Sequence, residues 1–437
     1  MKKIKSLILP LLLVSLVANA QETPEQKAAR MQWFSDAKLG IFIHYGIYAV
    51  NGIGESWSFH NGQISYENYM KQLNGFTAKK YDPVAWADLI AESGAKYTVI
   101  TSKHHDGVAL YDTKMSDLNV VKKTPAKRDL LTPFYKAIRE KGLKAGLYFS
   151  LLDWSQPDYP NFLKNKIRYE YKNDTLRWNK YLTFMNGQLD EIATRFNPDL
   201  WWFDGDWEFG PEQWKAKQIR EKLLTYNPNT IINSRLQGYG DYDTPENGVP
   251  IYRPKSPWWE LCMTMNDSWG YQPTDKNYKT PNQVIRIFAD CIGLGGNLLL
   301  DIGPKADGTI PEEQVAILKE LGRWTTKHSE AIYGTVAGIP REWYAGPSTL
   351  SKDRKKLYLF IDSKPIGQLV VKGMPNKVVS AWVVGKGNPL NFNVMMKPWW
   401  SSNPGLLYID VPEDLLDEQV TVICLSLETP VQELFGN

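Results

Sequence analysis

Cysteine is scarce in this sequence: 437 residues contain only Cys262, Cys291 and Cys424. Three are too few for a disulfide framework, so the core must hold the fold. Excess charge is also missing. The formal net charge of +3 matches the three lysines Lys2, Lys3 and Lys5 at the start of the chain, and the rest is balanced. A balanced chain lacks the basic footprint that nucleic acid requires. Beyond residue 20 no apolar run approaches the roughly 20 residues of a membrane-spanning helix. No Gly-rich dinucleotide fingerprint follows the first strand-like run, which weighs against an open doubly wound sheet. Internal repeats and low-complexity stretches are absent too.

What is present begins with a leader. Lys2-Lys3-Ile4-Lys5, an apolar stretch from Leu7 to Val17, and Ala18-Asn19-Ala20 before Gln21 have the three-part layout of a secretory signal peptide. Cleavage is expected after Ala20, with a secreted or periplasmic destination. No Cys follows the apolar stretch, so a lipoprotein anchor has no attachment point. The length exceeds what one core usually supports. The expected division is a leader at 1–20, a large domain at 21–339 and a small one at 340–437.

Short apolar, β-branched runs recur, each ending in polar residues and most leading into a helix pattern, as parallel strands with crossover helices do. They are Leu39 to Ile43 before His44, Tyr97 to Thr101 before Lys103-His104-His105-Asp106, and Leu143 to Phe149 before Ser150. Leu200 to Phe203 precedes Asp204, Thr230 to Ile232 precedes Asn233 and Arg235, and Asn297 to Ile302 precedes Gly303-Pro304. Trp258 to Met263 is a seventh candidate. Asp82-Pro83 and Thr132-Pro133 read as helix starts, and Leu189, Ile192 and Phe196 share a helix face. The pattern predicts a (β/α)8-like TIM barrel. Past a helix near Glu312 to Trp324 come strands without helices, Leu357 to Ile361, Leu369 to Val371, Val378 to Val384, Leu406 to Val411 and Val420 to Leu425, which predict a small C-terminal β-sandwich.

In a barrel the chemistry sits at the C-terminal strand ends, where these polar residues collect. Aromatics reach 13%, with 17 Trp and 23 Tyr, a content that serves core packing and equally suits stacking on sugar faces. Retaining glycosidic cleavage needs two carboxyl groups about 5–5.5 Å apart, one attacking the sugar carbon and one protonating the leaving oxygen. Asp204, closing Trp201-Trp202-Phe203, is the strongest candidate for the first, although Asp-Gly also reads as a loop cap. Asp206 and Glu208 read as solvated neighbours. The His104-His105-Asp106 run reads as a packing feature or as a fragment of a metal site.

Taken together in this order, several segments carry a specific resemblance: Ile43-His44-Tyr45-Gly46, Thr101-Ser102-Lys103-His104-His105-Asp106-Gly107, Leu147-Tyr148-Phe149-Ser150 and Pro198-Asp199-Leu200-Trp201-Trp202-Phe203-Asp204-Gly205-Asp206-Trp207. Trp259-Glu260-Leu261-Cys262-Met263, Ser268-Trp269-Gly270-Tyr271 and Gly295-Gly296-Asn297-Leu298-Leu299-Leu300-Asp301-Ile302-Gly303-Pro304 complete the set. Over nearly the whole chain the sequence resembles glycoside hydrolase family 29, the α-L-fucosidases. The Trp-Glu-x-Cys and Ser-Trp-Gly-Tyr segments look like its broad-specificity subgroup.

The resemblance implies a barrel plus sandwich, a retaining exo-glycosidase releasing terminal α-L-fucose, no cofactor and no metal. Its partner would be a fucosylated oligosaccharide or glycoconjugate, and a homo-oligomer is compatible with it. Asp204 matches the family nucleophile, His44, His104 and His105 match residues that bind fucose hydroxyls, and Arg235 matches an arginine beside the nucleophile. Neutral imidazoles donate and accept in fixed directions, and an arginine keeps a carboxylate ionised. Two residues compete for the acid/base: Glu246 on the loop after Arg235, which is preferred, and Glu260 behind Trp258 and Trp259. Two departures stand out. Ser56 separates Glu55 from Trp57, so either of the two could contact the sugar, and Phe149 replaces a second Tyr beside Tyr148. Trp57, Phe59 and Trp202 are candidates for packing on the C6 methyl of fucose. The competing readings are an α-L-galactosidase on the same scaffold, a catalytically inactive fucoglycan-binding protein, and a metal hydrolase built on His104, His105 and Asp106.

Overall fold

The computed structural model describes residues 22–432; the expected leader lies outside them. Seven parallel strands form one sheet: β1 (Leu39–Ile43), β2 (Tyr97–Lys103), β3 (Lys144–Ser150), β4 (Leu200–Asp204), β5 (Ile231–Ile232), β6 (Glu260–Thr264) and β7 (Asn297–Ile302). Their order in space is β5-β4-β3-β2-β1-β7-β6. The longer helices of the large unit are α1 (Pro24–Ala37), α2 (Pro83–Glu92), α3 (Leu131–Glu140), α4 (Thr175–Phe196), α5 (Ala216–Tyr226), α6 (Pro281–Gly293) and α7 (Glu312–Lys327). Leu189, Ile192 and Phe196 do lie together on the buried face of α4. Asp82 caps α2 through Val84 and Ala85. The start of α3 differs from the Thr132-Pro133 expectation, because the helix begins at Leu131 and Asp129 accepts from the Thr132 amide.

The open edges of the sheet, β5 and β6, are joined by an irregular eighth stave at residues 241–247. The Asp241 amide donates to Ile232 O at 2.6 Å and the Asp243 amide to Trp258 O at 3.0 Å. Glu260 and Cys262 amides donate back to Asp243 O at 2.9 Å and Pro245 O at 3.1 Å. The bridges Asn233 with Tyr242, Asp243 with Trp259 and Glu246 with Cys262 are parallel. The barrel is therefore closed, with Glu246 riding on the closing stave.

Side-chain alternation fixes what faces inward. Phe42, Tyr97, Val99, Tyr148, Leu200, Trp202, Ile231, Tyr242, Cys262 and Leu299 fill the interior, and Met31, Phe34 and Ala37 of α1 pack against them as a plug. A Thr23–Gln26 capping box starts that helix. Arg30 then forks onto Asp241 at 2.8 and 2.9 Å and binds Thr230 O at 2.8 Å, tying the plug to the eighth stave.

Among the described residues, eight short antiparallel strands follow. They are β8 (Val336–Ala337), β9 (Ser348–Leu350), β10 (Lys356–Ile361), β11 (Leu369–Lys372), β12 (Val378–Val383), β13 (Phe392–Met395), β14 (Leu406–Ile409) and β15 (Thr421–Leu427). They pair as β8-β9-β10-β15-β12 and β11-β14-β13. Leu357, Leu359, Ile361 and, on β15, Ile423 pack against Leu407 and Ile409 of the second sheet. Tyr358 and Phe360, one residue out of phase, join the core shared with the barrel helices. The TIM-like barrel and C-terminal sandwich expected from the sequence are both present.

Candidate active site

The C-terminal strand ends surround a cavity of about 270 Å³, lined by Phe42, His44, Glu55, Trp57, His104, Tyr148, Trp202, Asp204, Trp207, Arg235, Glu246 and Trp269. Strand parity explains the selection. Tyr148, Trp202 and Asp204 point inward from β3 and β4, while Phe149 and Phe203 point to the helix layer and pack together with ring centroids 6.2 Å apart. Phe149 thus leaves no gap beside Asp204, because its side chain faces the other way. Gly205 takes φ +80°, a conformation that turns the chain immediately after Asp204 and that side chains disfavour.

Asp204 is gripped from two sides. Tyr148 Oη donates to Oδ2 at 2.8 Å and Arg235 Nη1 to Oδ1 at 2.8 Å. The other nitrogen of the same guanidinium, Nη2, binds Glu246 Oε2 at 2.7 Å. One arginine therefore spans both carboxylates, and its Cζ rests 4.5 Å from the centroid of the Trp202 ring. Tyr148 also stacks on Trp202, at 5.7 Å and 19°. Behind β4, the Asn233 side chain completes the ladder by pairing with both backbone groups of Phe203 at 2.9 Å.

The histidines are held neutral and oriented. His44 Nδ1 shares a hydrogen bond with Asp301 Oδ1 at 2.7 Å, which leaves Nε2 as its other polar atom. His104 Nδ1 pairs with Ser56 Oγ, so the serine that interrupts Glu55 and Trp57 holds a cavity residue in place. Burial pushes the His104 imidazole down to about 4 and keeps His44 and His105 well below the ordinary range. His105 packs edge-on against the cavity residues Trp57 at 5.5 Å and Trp207 at 5.8 Å. Ser150 gives its proton to Leu152 O, so His105 Nδ1 donates to Ser150 Oγ at 2.6 Å, and Nε2 looks toward Asp204 Oδ2 from 3.6 Å. Asp106 turns elsewhere, accepting from Tyr69 Oη at 2.6 Å and the Val108 amide at 2.9 Å. The three members of the His104-His105-Asp106 run thus have separate partners, and among the described residues no three His, Cys, Asp or Glu side chains are grouped as a metal site would need.

Glu55 and Trp57 both line the cavity. Glu55 accepts the Gly270 amide at 2.6 Å, and burial raises its pKa. Gly270 has no room for a side chain, since a Cβ there would sit 2.6 Å from the Tyr48 ring. Trp57 stacks on Trp207 at 5.9 Å and 19°, and Trp207 is half-exposed at the mouth. Phe59, expected as a candidate methyl wall, lies instead in the core against Tyr69 at 4.7 Å and Tyr66 at 5.3 Å. Phe42 and Trp269 supply apolar wall that the sequence did not single out, although Trp269 belongs to a quoted motif. Glu208 is not a solvated neighbour: it accepts from Asn161 Nδ2 at 2.6 Å and from Tyr159 Oη.

Of the two acid/base candidates only Glu246 reaches the cavity. Glu260 opens β6 at the opposite end of the barrel, is fully buried, and accepts from Trp202 Nε1 at 3.1 Å and from Tyr97 Oη. It lies beneath Trp202, and burial raises its carboxyl to about 7.

Comparison with known proteins adds the family. Residues 15–330 match the family profile described as alpha-L-fucosidase. The plasma alpha-L-fucosidase of Rattus norvegicus is 31% identical over 422 residues, covering 87% of this chain and 87% of the relative. Among solved structures, alpha-L-fucosidase isoenzyme 1 from Paenibacillus thiaminolyticus superposes with a TM-score of 0.83 at 35% identity, over 92% of this chain and 99% of that one. A GH29 alpha-L-fucosidase from Bacteroides thetaiotaomicron, trapped as a covalent intermediate with 2-fluoro-fucosyl fluoride in a Glu-to-Gln mutant, superposes with a TM-score of 0.80 at 28% identity, over 92% and 96%.

Proposed function

The chain belongs to the alpha-L-fucosidase family, and from that premise we propose that it releases terminal α-L-fucose by double displacement, with Asp204 as nucleophile and Glu246 as acid/base. The observation that carries the assignment is the single Arg235 guanidinium bound to both carboxylates at the mouth of one small cavity. In the first step an Asp204 oxygen bonds to the anomeric carbon as the glycosidic C–O bond breaks, and Glu246 gives its proton to the departing oxygen. In the second, Glu246 takes a proton from water, whose oxygen bonds to the anomeric carbon as the bond to Asp204 breaks. Arg235 and Tyr148 hold the Asp204 carboxylate in place before it attacks and stabilise it as it departs in the second step. Before proton delivery Glu246 has to part from Arg235, a movement that its half-exposed position on the stave permits.

His44 and His104 are assigned to the sugar hydroxyls through their free ring nitrogens. The aromatic wall of Phe42, Trp57, Trp202 and Trp269 suits the C6 methyl of fucose. An L-galactose C6 hydroxyl set against that wall would lose hydration. Comparing hydrolysis of 4-nitrophenyl α-L-fucoside and α-L-galactoside tests that preference; equal rates would remove it. The Trp259-Glu260-Leu261-Cys262 and Ser268-Trp269-Gly270-Tyr271 segments support membership of the broad-specificity subgroup. The leader composition supports export with cleavage after Ala20, which N-terminal sequencing of the mature protein tests.

The deciding experiment is azide rescue of Glu246→Ala on an activated aryl fucoside. Azide replaces the water that needs a base, so recovered turnover and α-L-fucosyl azide are expected. Absence of both, in a folded variant, removes Glu246 from the role.

A further inference from the structure

Glu260 is a buried carboxyl that the proposed reaction does not use, placed below the ring on which the catalytic pair is mounted. Trp202 meets three groups of the site: Phe42 at 4.9 Å, Tyr148 stacked at 5.7 Å, and the Arg235 guanidinium at 4.5 Å. Two of those three, Tyr148 and Arg235, hold Asp204, and Arg235 also holds Glu246. Stacking contacts leave a ring free to slide or swivel, so they do not fix its angle. The indole N–H does, because it has one direction, and it is spent on Glu260 Oε1 at 3.1 Å. The second carboxyl oxygen accepts from Tyr97 Oη, which anchors Glu260 in turn.

We propose that Glu260 is a positioning residue for the catalytic pair: by accepting the Trp202 indole N–H from beneath the cavity, it sets the platform on which Arg235 and Tyr148 hold Asp204 and Glu246. This rests on the assignment of Asp204 and Glu246 made above. Glu260 itself touches no substrate. Its effect is on alignment, hence on turnover more than on binding.

The test is a coupling cycle on 4-nitrophenyl α-L-fucoside with the full chain. Glu260→Leu removes the acceptor at similar volume and is expected to lower kcat at least tenfold with KM changed less than threefold. Glu260→Gln keeps an acceptor for the indole and is expected to retain at least a third of wild-type kcat. Trp202→Phe removes the N–H, and adding Glu260→Leu to it should change kcat by less than twofold further, the non-additivity expected of residues acting through one bond. Azide should restore nothing in Glu260→Leu. The inference is overturned by a Gln variant as impaired as the Leu variant, by additive losses in the double variant, by azide rescue with fucosyl azide formation, or by full activity of Glu260→Leu. If Glu260→Leu does not fold, Glu260→Met carries the same expectations. Asp204→Ala is run alongside: an active Asp204→Ala overturns the underlying assignment, whereas an inactive one beside a fully active Glu260→Leu overturns this inference alone.

Discussion

Ser56 Oγ and His104 Nδ1 share a hydrogen bond in the wall of the cavity. Both residues are buried, and the bond decides which ring nitrogen of His104 remains for a ligand. In Ser56→Ala the ring loses that restraint, at a cost of about 1 kcal/mol in ligand-bound alignment. KM for an aryl fucoside is expected to rise roughly five- to tenfold with kcat changed less than threefold, measured by steady-state kinetics. Unchanged KM would show that other contacts hold the ring.

Asp204→Gly should lower turnover by about 10³-fold or more, because no other acid lies where Tyr148 and Arg235 converge. With azide and an activated aryl fucoside the vacated face admits the anion, and the product is expected to be the β-L-fucosyl azide, opposite in configuration to the one from Glu246→Ala. Proton NMR of the anomeric signal separates the two.

Arg235→Lys keeps the positive charge and loses the fork. A lysine ammonium is a point charge that does not match two carboxylates and the face of Trp202 together. A fall in kcat of about 10²-fold is expected, with the thermal unfolding midpoint within a few degrees of wild type. Near-normal turnover in Arg235→Lys would show that charge alone suffices.

Burial raises the Glu260 carboxyl from its ordinary 4.5 to about 7. Between those values the folded chain holds a proton that the unfolded chain has released. The contribution to stability is complete below pH 4.5 and is lost as pH rises through about 7, a difference on the order of 3 kcal/mol. Glu260→Gln cannot titrate, so its unfolding midpoint relative to wild type is expected to climb from pH 5 to pH 8. Calorimetry at the two pH values checks this; a constant difference would refute it. The depressed His104 is common to both proteins and cancels.

The barrel was legible wherever a strand is an apolar run with a polar end. Leu39–Ile43 and Asn297–Ile302 have the bounds read from the sequence, and the others differ by a few residues. The eighth stave was not legible, because Asp241-Tyr242-Asp243-Thr244-Pro245-Glu246-Asn247 carries one large apolar residue and a proline and so has the chemistry of a turn. It becomes wall only because two strand edges need a partner. The strands Val336–Ala337, Ser348–Leu350 and Phe392–Met395 escaped for a related reason, being short or exposed on both faces.

In the site, residues that close a strand were readable, and residues that orient them were not. Asp204, His44 and His104 stand at strand ends and line the cavity. Ser56 and Asp301 reach their histidines across 48 and 257 residues of chain, a separation at which no local pattern survives. Glu260 shows what strand direction adds. A residue opening a barrel strand sits at the end remote from the chemistry, but Trp258 and Trp259 run into Glu260 as one apolar stretch, and nothing in it marks Glu260 as the first residue of the strand.

On its β6 side the stave that carries Glu246 is laced by backbone bonds among Asp243, Pro245, Asn247, Trp258, Glu260 and Cys262, whereas on its β5 side the backbone bond is Asp241 N–H to Ile232 O; β1, β2, β3 and β4 are joined by continuous ladders. A seam with so few backbone stitches opens locally at lower free energy than a continuous ladder does. Amide exchange should therefore be faster at the seam between residues 241–242 and β5 than in β1, while Asp204 closes a strand held along its length by a continuous ladder.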